Sequence, residues 1–246
     1  MVFIQMVHIE LVDNAQDAHR LAQVFAEIWG EKNSISVDVI VAIVHSGGYA
    51  SLAEIGSNGA RQIVGGSLGL VGRENNKLHS HVTGVVANFA NSGIGTSLKQ
   101  HQWSWAKEKR FAAISWTFDP LVRRNAHFNL LTLGAKVVSY HRDFYGKLGD
   151  SINGDDNTDR LVVERQVENC AVAPSAGPIT ALPGDQLIAT PEDIVSLRQS
   201  DDLADRELAK KSRMLQRQSF ETAFADSKFV RGFTSDGSYV LTAKVR

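Results

Sequence analysis

Two glycines, Gly93 and Gly95, break the chain between a β-branched run and an amphipathic stretch that turns helical. The run is Ser80–Val86 (Ser-His-Val-Thr-Gly-Val-Val) and the break is Ala90–Thr96 (Ala-Asn-Ser-Gly-Ile-Gly-Thr). Where a strand passes into a helix start through bare glycine backbone, N–H groups converge and can cradle an anionic group. Glycines at this spacing also serve ordinary turns and close strand–helix packing. A dinucleotide-binding Rossmann reading is the weaker one, because Leu98 stands at the last glycine position of Gly-X-Gly-X-X-Gly.

Upstream, His79 and His81 fall on one side of the same strand by period-two alternation. Histidine titrates near neutrality, so either could take the proton that an attacking amine must lose. Packed structural histidines would give the same pattern. The pair could ligate a metal, but no carboxylate or third histidine stands at matching spacing, so no metal site is read. Cys170 is the single cysteine, which excludes an intramolecular disulfide and a Cys-X-X-Cys site. Trp103, Trp105 and Trp116 are read as core before they are read as an acceptor pocket.

The elements that must position these residues can be laid out along the chain. Val7–Val12 alternates as a strand, and the start has neither the basic region nor the cleavage site of a signal peptide. Asn14 caps a helix carrying Ala18, Leu21, Phe25 and Ile28 at helical spacing, and Gly30 stops it. Ser36–His45, ended by Gly47 and Gly48, is read as a buried helix. Tyr49–Ile55 and Gln62–Val71 are read as antiparallel strands, linked onward by Arg73–Lys77 to the strand before the glycines. After the glycine loop come a helix, the strand Phe111–Phe118, a turn at Asp119-Pro120, a helix Arg124–Leu133 stopped at Gly134, and a strand from Lys136. Asp119 is expected to shape that turn.

Four of the five prolines, Pro174, Pro178, Pro183 and Pro191, mark a surface connection. Asp201–Ala225 is read as a charged helix with Leu203, Leu208, Leu215 and Phe220 as its inner stripe and Lys210–Arg213 on a solvated face. Phe229–Phe233 and Tyr239–Ala243 form a hairpin expected to pack on the main sheet. The expected divisions are a core at 1–168, a connection at 169–191, and a helix and hairpin at 192–246 on the same domain. A chain of 246 residues with net charge −1 can bury a sizeable core and argues against a general nucleic-acid role. No stretch reaches the roughly 20 apolar residues of a membrane span. A cytoplasmic protein is expected.

The order strand, glycine loop, helix, strand, helix, strand resembles the acyl-CoA-binding core of the GNAT N-acetyltransferase superfamily. Asp119–Leu130 (Asp-Pro-Leu-Val-Arg-Arg-Asn-Ala-His-Phe-Asn-Leu), followed by Leu133–Ala135, Phe144–Gly146 and Asp159–Glu164, is similar to one poorly characterised branch of predicted acetyltransferases. The resemblance spans Leu78 to Glu164. It implies an α/β (α+β) fold with a mixed, largely antiparallel central sheet flanked by helices, and a C-terminal helix and hairpin extension. It also implies acetyl-CoA, or another acyl-CoA, as co-substrate and a small-molecule or peptide amine as acceptor. On that resemblance the amides of Asn91, Ser92, Gly93, Ile94, Gly95 and Thr96 hold the CoA pyrophosphate. The Val85 N–H, beside Val86, polarises the thioester carbonyl, and Asn125, Phe128 and Asn129 lie along the pantetheine arm. Two positions depart from the family pattern. Ala90 stands where an Arg or Gln contacts phosphate, and Leu130 stands where a tyrosine protonates the leaving thiolate. Asn125, His127, Tyr140 and Tyr145 are the nearby polar substitutes, with Tyr145 taken beside His81 and His79 as a catalytic candidate. A direct-transfer N-acyltransferase is the first reading and a non-catalytic acyl-CoA-binding or regulatory module the second; a homodimer is left open.

Overall fold

The computed structural model describes residues 7–31, 34–56, 61–72, 76–146, 156–167 and 177–244. Cys170 and Pro174, and Arg73 in the expected link, lie outside the described residues. The elements in chain order begin with β1 (His8–Leu11), α1 (Ala15–Trp29), α2 (Val37–His45), β2 (Tyr49–Ile55), β3 (Gln62–Val71) and β4 (Lys77–Val85). After a 3-10 turn at Ala87–Phe89 come α3 (Ile94–Glu108), β5 (Ala113–Phe118), α4 (Arg123–Ala126), a π-helical stretch at His127–Thr132, β6 (Lys136–His141) and β7 (Arg160–Gln166). The chain ends with β8 (Gln186–Ala189), α5 (Ile194–Gln199), α6 (Leu203–Ala225), β9 (Lys228–Phe233) and β10 (Ser238–Ala243).

Seven strands form one mixed, largely antiparallel sheet in the order β1-β2-β3-β4-β5-β7-β6, and helices flank it. By compactness the chain divides into a first unit of residues 1–115 and 166–172 and a second of 116–165 and 173–246.

In the first unit, β1 to β4 pair antiparallel in sequence order, and β4 pairs with β5 in parallel. Asn14 caps α1 as its sequence predicts, its side chain accepting from the Asp17 N–H at 2.9 Å. Ala18, Leu21, Val24 and Phe25 carry α1 onto β2 and β3, where Gly66 leaves room for Leu21 and Phe25 to approach the backbone closely. The second apolar segment does form the helix α2, but only Ile40 is buried, and Val39 and Val41 face outward. The expected buried helix is therefore a surface helix, because nine residues offer one inward stripe of the 3.6-residue repeat. On the other face of the strands, Leu98 and Ile94 of α3 pack with Ala53, Ile55 and Val64.

In the second unit, β6 and β7 pair antiparallel. The expected helix after Pro120 is two pieces, one α-helical turn followed by π-helical backbone, closed at Gly134 with φ 62°. The C-terminal hairpin takes up β8 and forms a three-stranded sheet in the order β8-β10-β9. The third strand comes from the proline-marked connection, whose segment Gln186–Ala189 is thus ordered by β10.

α6 departs most from its sequence reading. Leu203, Leu208 and Leu215 are 71%, 49% and 56% exposed, while Arg213 is 2% exposed and Arg217, Gln216 and Phe220 are buried. Phe220 and the exposed Lys210 and Lys211 keep their expected places. The inward residues still recur at i, i+3, i+4 and i+7, but three of the four are polar. The two arginines are buried because acidic partners wait for them, and Gln216 donates to Pro120 O at 3.1 Å. Arg213 reaches both carboxylate oxygens of Asp119 at 2.9 and 2.8 Å, Arg217 chelates Asp159, and Arg198 bridges Asp119 and Asp156. Asp119 shapes its turn as expected, accepting from the Leu121 N–H at 2.9 Å, and also anchors this cluster. Arg213 and Arg198 offset the cost of burying its carboxyl and hold its pKa down at about 2.

Candidate active site

The strand that leads to the glycine loop is irregular at the histidines. Along β3, Leu68 faces Val82 and Gly69 faces Ser80, so His81 is an extra residue on β4. Such a bulge bends the strand and re-aims the side chains around it. The simple alternation expected for His79 and His81 is therefore broken, yet their rings remain neighbours, with centroids 6.3 Å apart. His79 is half-buried and His81 exposed. Desolvation lowers both ring pKa values, and for His79 the charges of His81 and Lys99 push further the same way. Both imidazoles are thereby biased toward the neutral, proton-accepting form.

The bulge also divides the strand by face. Ser80 accepts a hydrogen bond from Lys99 of α3 at 2.6 Å. Beyond the bulge, Thr83 shares a hydrogen bond with Ser67 at 2.8 Å, and Ser67 accepts from Gln102 at 3.3 Å. Lys99 and Gln102 are site residues that the sequence reading did not single out. A helical wheel gives a signal for Lys99, since the residues three and four positions on, Gln102 and Trp103, are both buried. Trp103 and Trp105 are core, as is Trp116 in the second unit.

Registered pairing of β4 with β5 ends at His79 opposite Ser115. Among the described residues, β4 is registered above that point with β3 alone. Val86 donates to Val64 O at 2.9 Å, so the alternation of strand N–H groups turns Val85 N–H toward the opposite edge. The loop then turns through Asn91 with φ 61° and Gly93 with φ 86°, both left-handed. Gly93 is the N-cap of α3 and brings no side chain to it, and Ser97 N–H is bonded to Gly93 O at 3.0 Å. The N–H groups of Ile94, Gly95 and Thr96 precede that bond in the first helical turn, where α-helices leave donors for other partners. The helix thus starts earlier than the sequence suggested. A Cβ on Gly93 would meet nothing within 4 Å, so the space over the loop is open. Ala90 and Ser92 are exposed, and Ser92 Oγ bonds back to Phe89 O at 2.5 Å.

The second unit holds the remaining candidates. Asn129 is buried and its amide is already engaged, accepting from Trp116 Nε1 at 2.6 Å and donating to Asn125 O at 2.8 Å. Asn125 and Phe128 are half-buried and His127 is exposed, while Leu130 packs inside. Tyr140 donates to Asp159, and burial together with that carboxylate raises its pKa well above the ordinary range. It is therefore a poor proton donor. Tyr145 is exposed, its hydroxyl 3.1 Å from Thr117 Oγ1 and its ring 5.5 Å from the Arg160 guanidinium. Of the three catalytic candidates, the structure brings His79 and His81 together; Tyr145 belongs to the other unit.

The mixed, largely antiparallel sheet flanked by helices has the fold of solved GNAT acetyltransferases. Among solved structures, the chain is similar to the ribosomal-protein-S18-alanine N-acetyltransferase of Escherichia coli, with TM-score 0.53 and 12% identity over 68% of this chain and 99% of that one. It is likewise similar to the IAA acetyltransferase of Bacillus cereus, with TM-score 0.51 and 17% identity over 65% and 99%. The Salmonella typhimurium protein yncA, solved with its cofactor acetyl-CoA, matches with TM-score 0.51 and 16% identity over 70% and 99%. No family model matches the sequence, and no curated protein matches it. No helix among the described residues is long and apolar enough to cross a membrane.

Proposed function

We propose that this protein is an acyl-CoA-dependent N-acyltransferase, with acetyl-CoA as donor and a small-molecule or peptide amine as acceptor. The observation that carries the reading is the course of β4 into α3: a strand registered above His79 with β3 alone among the described residues, then an open left-handed turn at Gly93 onto a helix start. Those residues fit the donor. The amides from Asn91 to Thr96 would hold the pyrophosphate, where converging N–H groups and the helix dipole favour negative charge. The donor supplies an activated acyl group as a thioester, whose thiolate leaves.

The chain's own residues do the rest. His79 or His81 takes the proton that the acceptor ammonium must lose before it can attack. Val85 N–H donates to the carbonyl oxygen as it gains negative charge. Leu130 has no proton to give the departing sulfur, and Tyr145 is an exposed phenol of the second unit, its hydroxyl shared with Thr117 and not with a carboxylate. The absence of a basic side chain at Ala90 leaves phosphate binding to the backbone.

Calorimetry with acetyl-CoA, CoA and NAD tests the donor, and thiol release against a panel of amines tests the transfer. Binding of acetyl-CoA and CoA, but not NAD, is the expected result. A protein that binds no CoA species overturns the reading.

A further inference from the structure

Lys99 is the cation of α3 that reaches the bulged segment of β4. Its ammonium donates to Ser80 Oγ at 2.6 Å, and Ser80 stands between the two histidines. From β3, Gly69 faces Ser80 across the irregular register. A Cβ at Gly69 would come within 3.3 Å of Gln102 Nε2 and 3.4 Å of His79 O, so α3, β3 and the bulge close tightly there. We propose that Lys99 is a positioning residue of the site: through Ser80 it fastens the β4 bulge to α3 and so sets where His79 and His81 are presented. The inference rests on the acyl-transfer reading for its catalytic consequence.

A lysine is a costly choice for a mere tether. Desolvation brings its pKa down to about 7, and an apolar residue would fill the same space without that cost. Its charge has a second effect, since Lys99 and His81 are the charged groups that lower the pKa of His79. A tether that is also a cation holds the histidine in place and keeps it unprotonated.

The test joins an NMR titration of the histidine rings to a pH profile of acyl transfer, on the full chain as wild type, Lys99→Met and Ser80→Ala. In Lys99→Met the His79 midpoint should rise by about half a unit or more, as loss of a nearby cation requires. Ring signals of both His79 and His81 should move. The kcat should fall roughly tenfold, with the KM for acetyl-CoA within about threefold, and the acid limb of the profile should follow the new His79 midpoint. Ser80→Ala keeps the cation and cuts the tether, so it should move the ring signals and lower kcat with a smaller change in midpoint. Histidine signals and kcat unmoved in folded Lys99→Met and Ser80→Ala, in a protein whose wild type is active, overturn the inference. A wild type silent toward every acyl-CoA overturns the functional reading instead. The ring titration needs no donor and decides the tether in either case.

Discussion

Gly93 and Lys99 lie within two helical turns of each other and are constrained in opposite ways. Gly93 is held by backbone conformation alone, at φ 86° with open space around it. A residue with a Cβ pays about 1–2 kcal/mol to sit there, and a β-branched one more. Gly93→Val should therefore leave the core intact, with melting nearly unchanged, while weakening acetyl-CoA binding by about tenfold or more as the loop abandons its turn. Gly93→Asn should retain more affinity, since asparagine tolerates the left-handed region that Asn91 already occupies. Wild-type affinity in folded Gly93→Val, measured by calorimetry, would place the anion elsewhere. Lys99, half-buried by exposure, is constrained by desolvation of its ammonium. Its pKa is about 7 in the fold against 10.5 ordinarily, so between those values the unfolded chain binds more protons and stability rises with pH. The cost is fully present below pH 7 and is gone above about pH 10.5. Lys99→Met should melt above wild type at pH 6, by on the order of 1–3 kcal/mol after loss of the Ser80 bond, and the advantage should fade by about pH 10.5. Melting curves across that range decide it. A lysine kept for stability alone would show the opposite sign.

At the scale of elements, what the sequence revealed depended on whether local pattern or a distant partner decided the outcome. The strand, glycine loop and helix of the site were legible, because β-branched residues, positive-φ glycines and helical spacing are all local signals. The bulge at His81 was not. It exists only in the register of β4 against β3, which period-two counting takes for granted. α6 fails for a related reason. Apolar periodicity assigns Leu203, Leu208 and Leu215 inward, but the inward face is chosen by Asp119 and Asp159, 94 and 58 residues away from Arg213 and Arg217. Substitution separates the two stripes. Leu208→Gln and Leu215→Gln should change stability by no more than about 0.5 kcal/mol, as exposed positions do. Arg213→Gln should cost about 3–5 kcal/mol, because it leaves the Asp119 carboxylate buried without its bidentate partner. Urea unfolding of the three variants measures this; equal losses would mean that the leucines carry the helix after all.

At the scale of the molecule, the two units have different kinds of interior. The first is fastened largely by apolar layers on both faces of β2, β3 and β4. The second joins a buried ion network to its apolar packing, in which Leu121, Val122, Ile194 and Ala209 form one cluster and Phe220 of α6 stacks on Tyr140 and meets Tyr239 edge-on. The consequence for acid stability follows from the carboxyl groups in that network. Asp119 is held at about 2 in the fold against an ordinary value of 3.8. Asp159 is also lowered, by its bonds from Arg217 and Tyr140 against the cost of burial. For a depressed carboxyl the unfolded state binds more protons below pH 3.8, so the stability it confers is whole above that value and is lost as pH falls toward 2. Protonation there leaves Arg213 and Arg217 buried without their counter-charges. Hydrogen exchange read by peptide fragments across an acid titration should show α6 and β7 losing protection between about pH 4 and pH 2, while β2, β3 and α3 stay protected to lower pH. Asp119→Asn should bring early exchange in α6 already at pH 7, since its side chain carries no charge for Arg213 to lose. Simultaneous loss of protection in all these elements, at a midpoint that Asp119→Asn does not move, would show that the ion network does not govern acid unfolding.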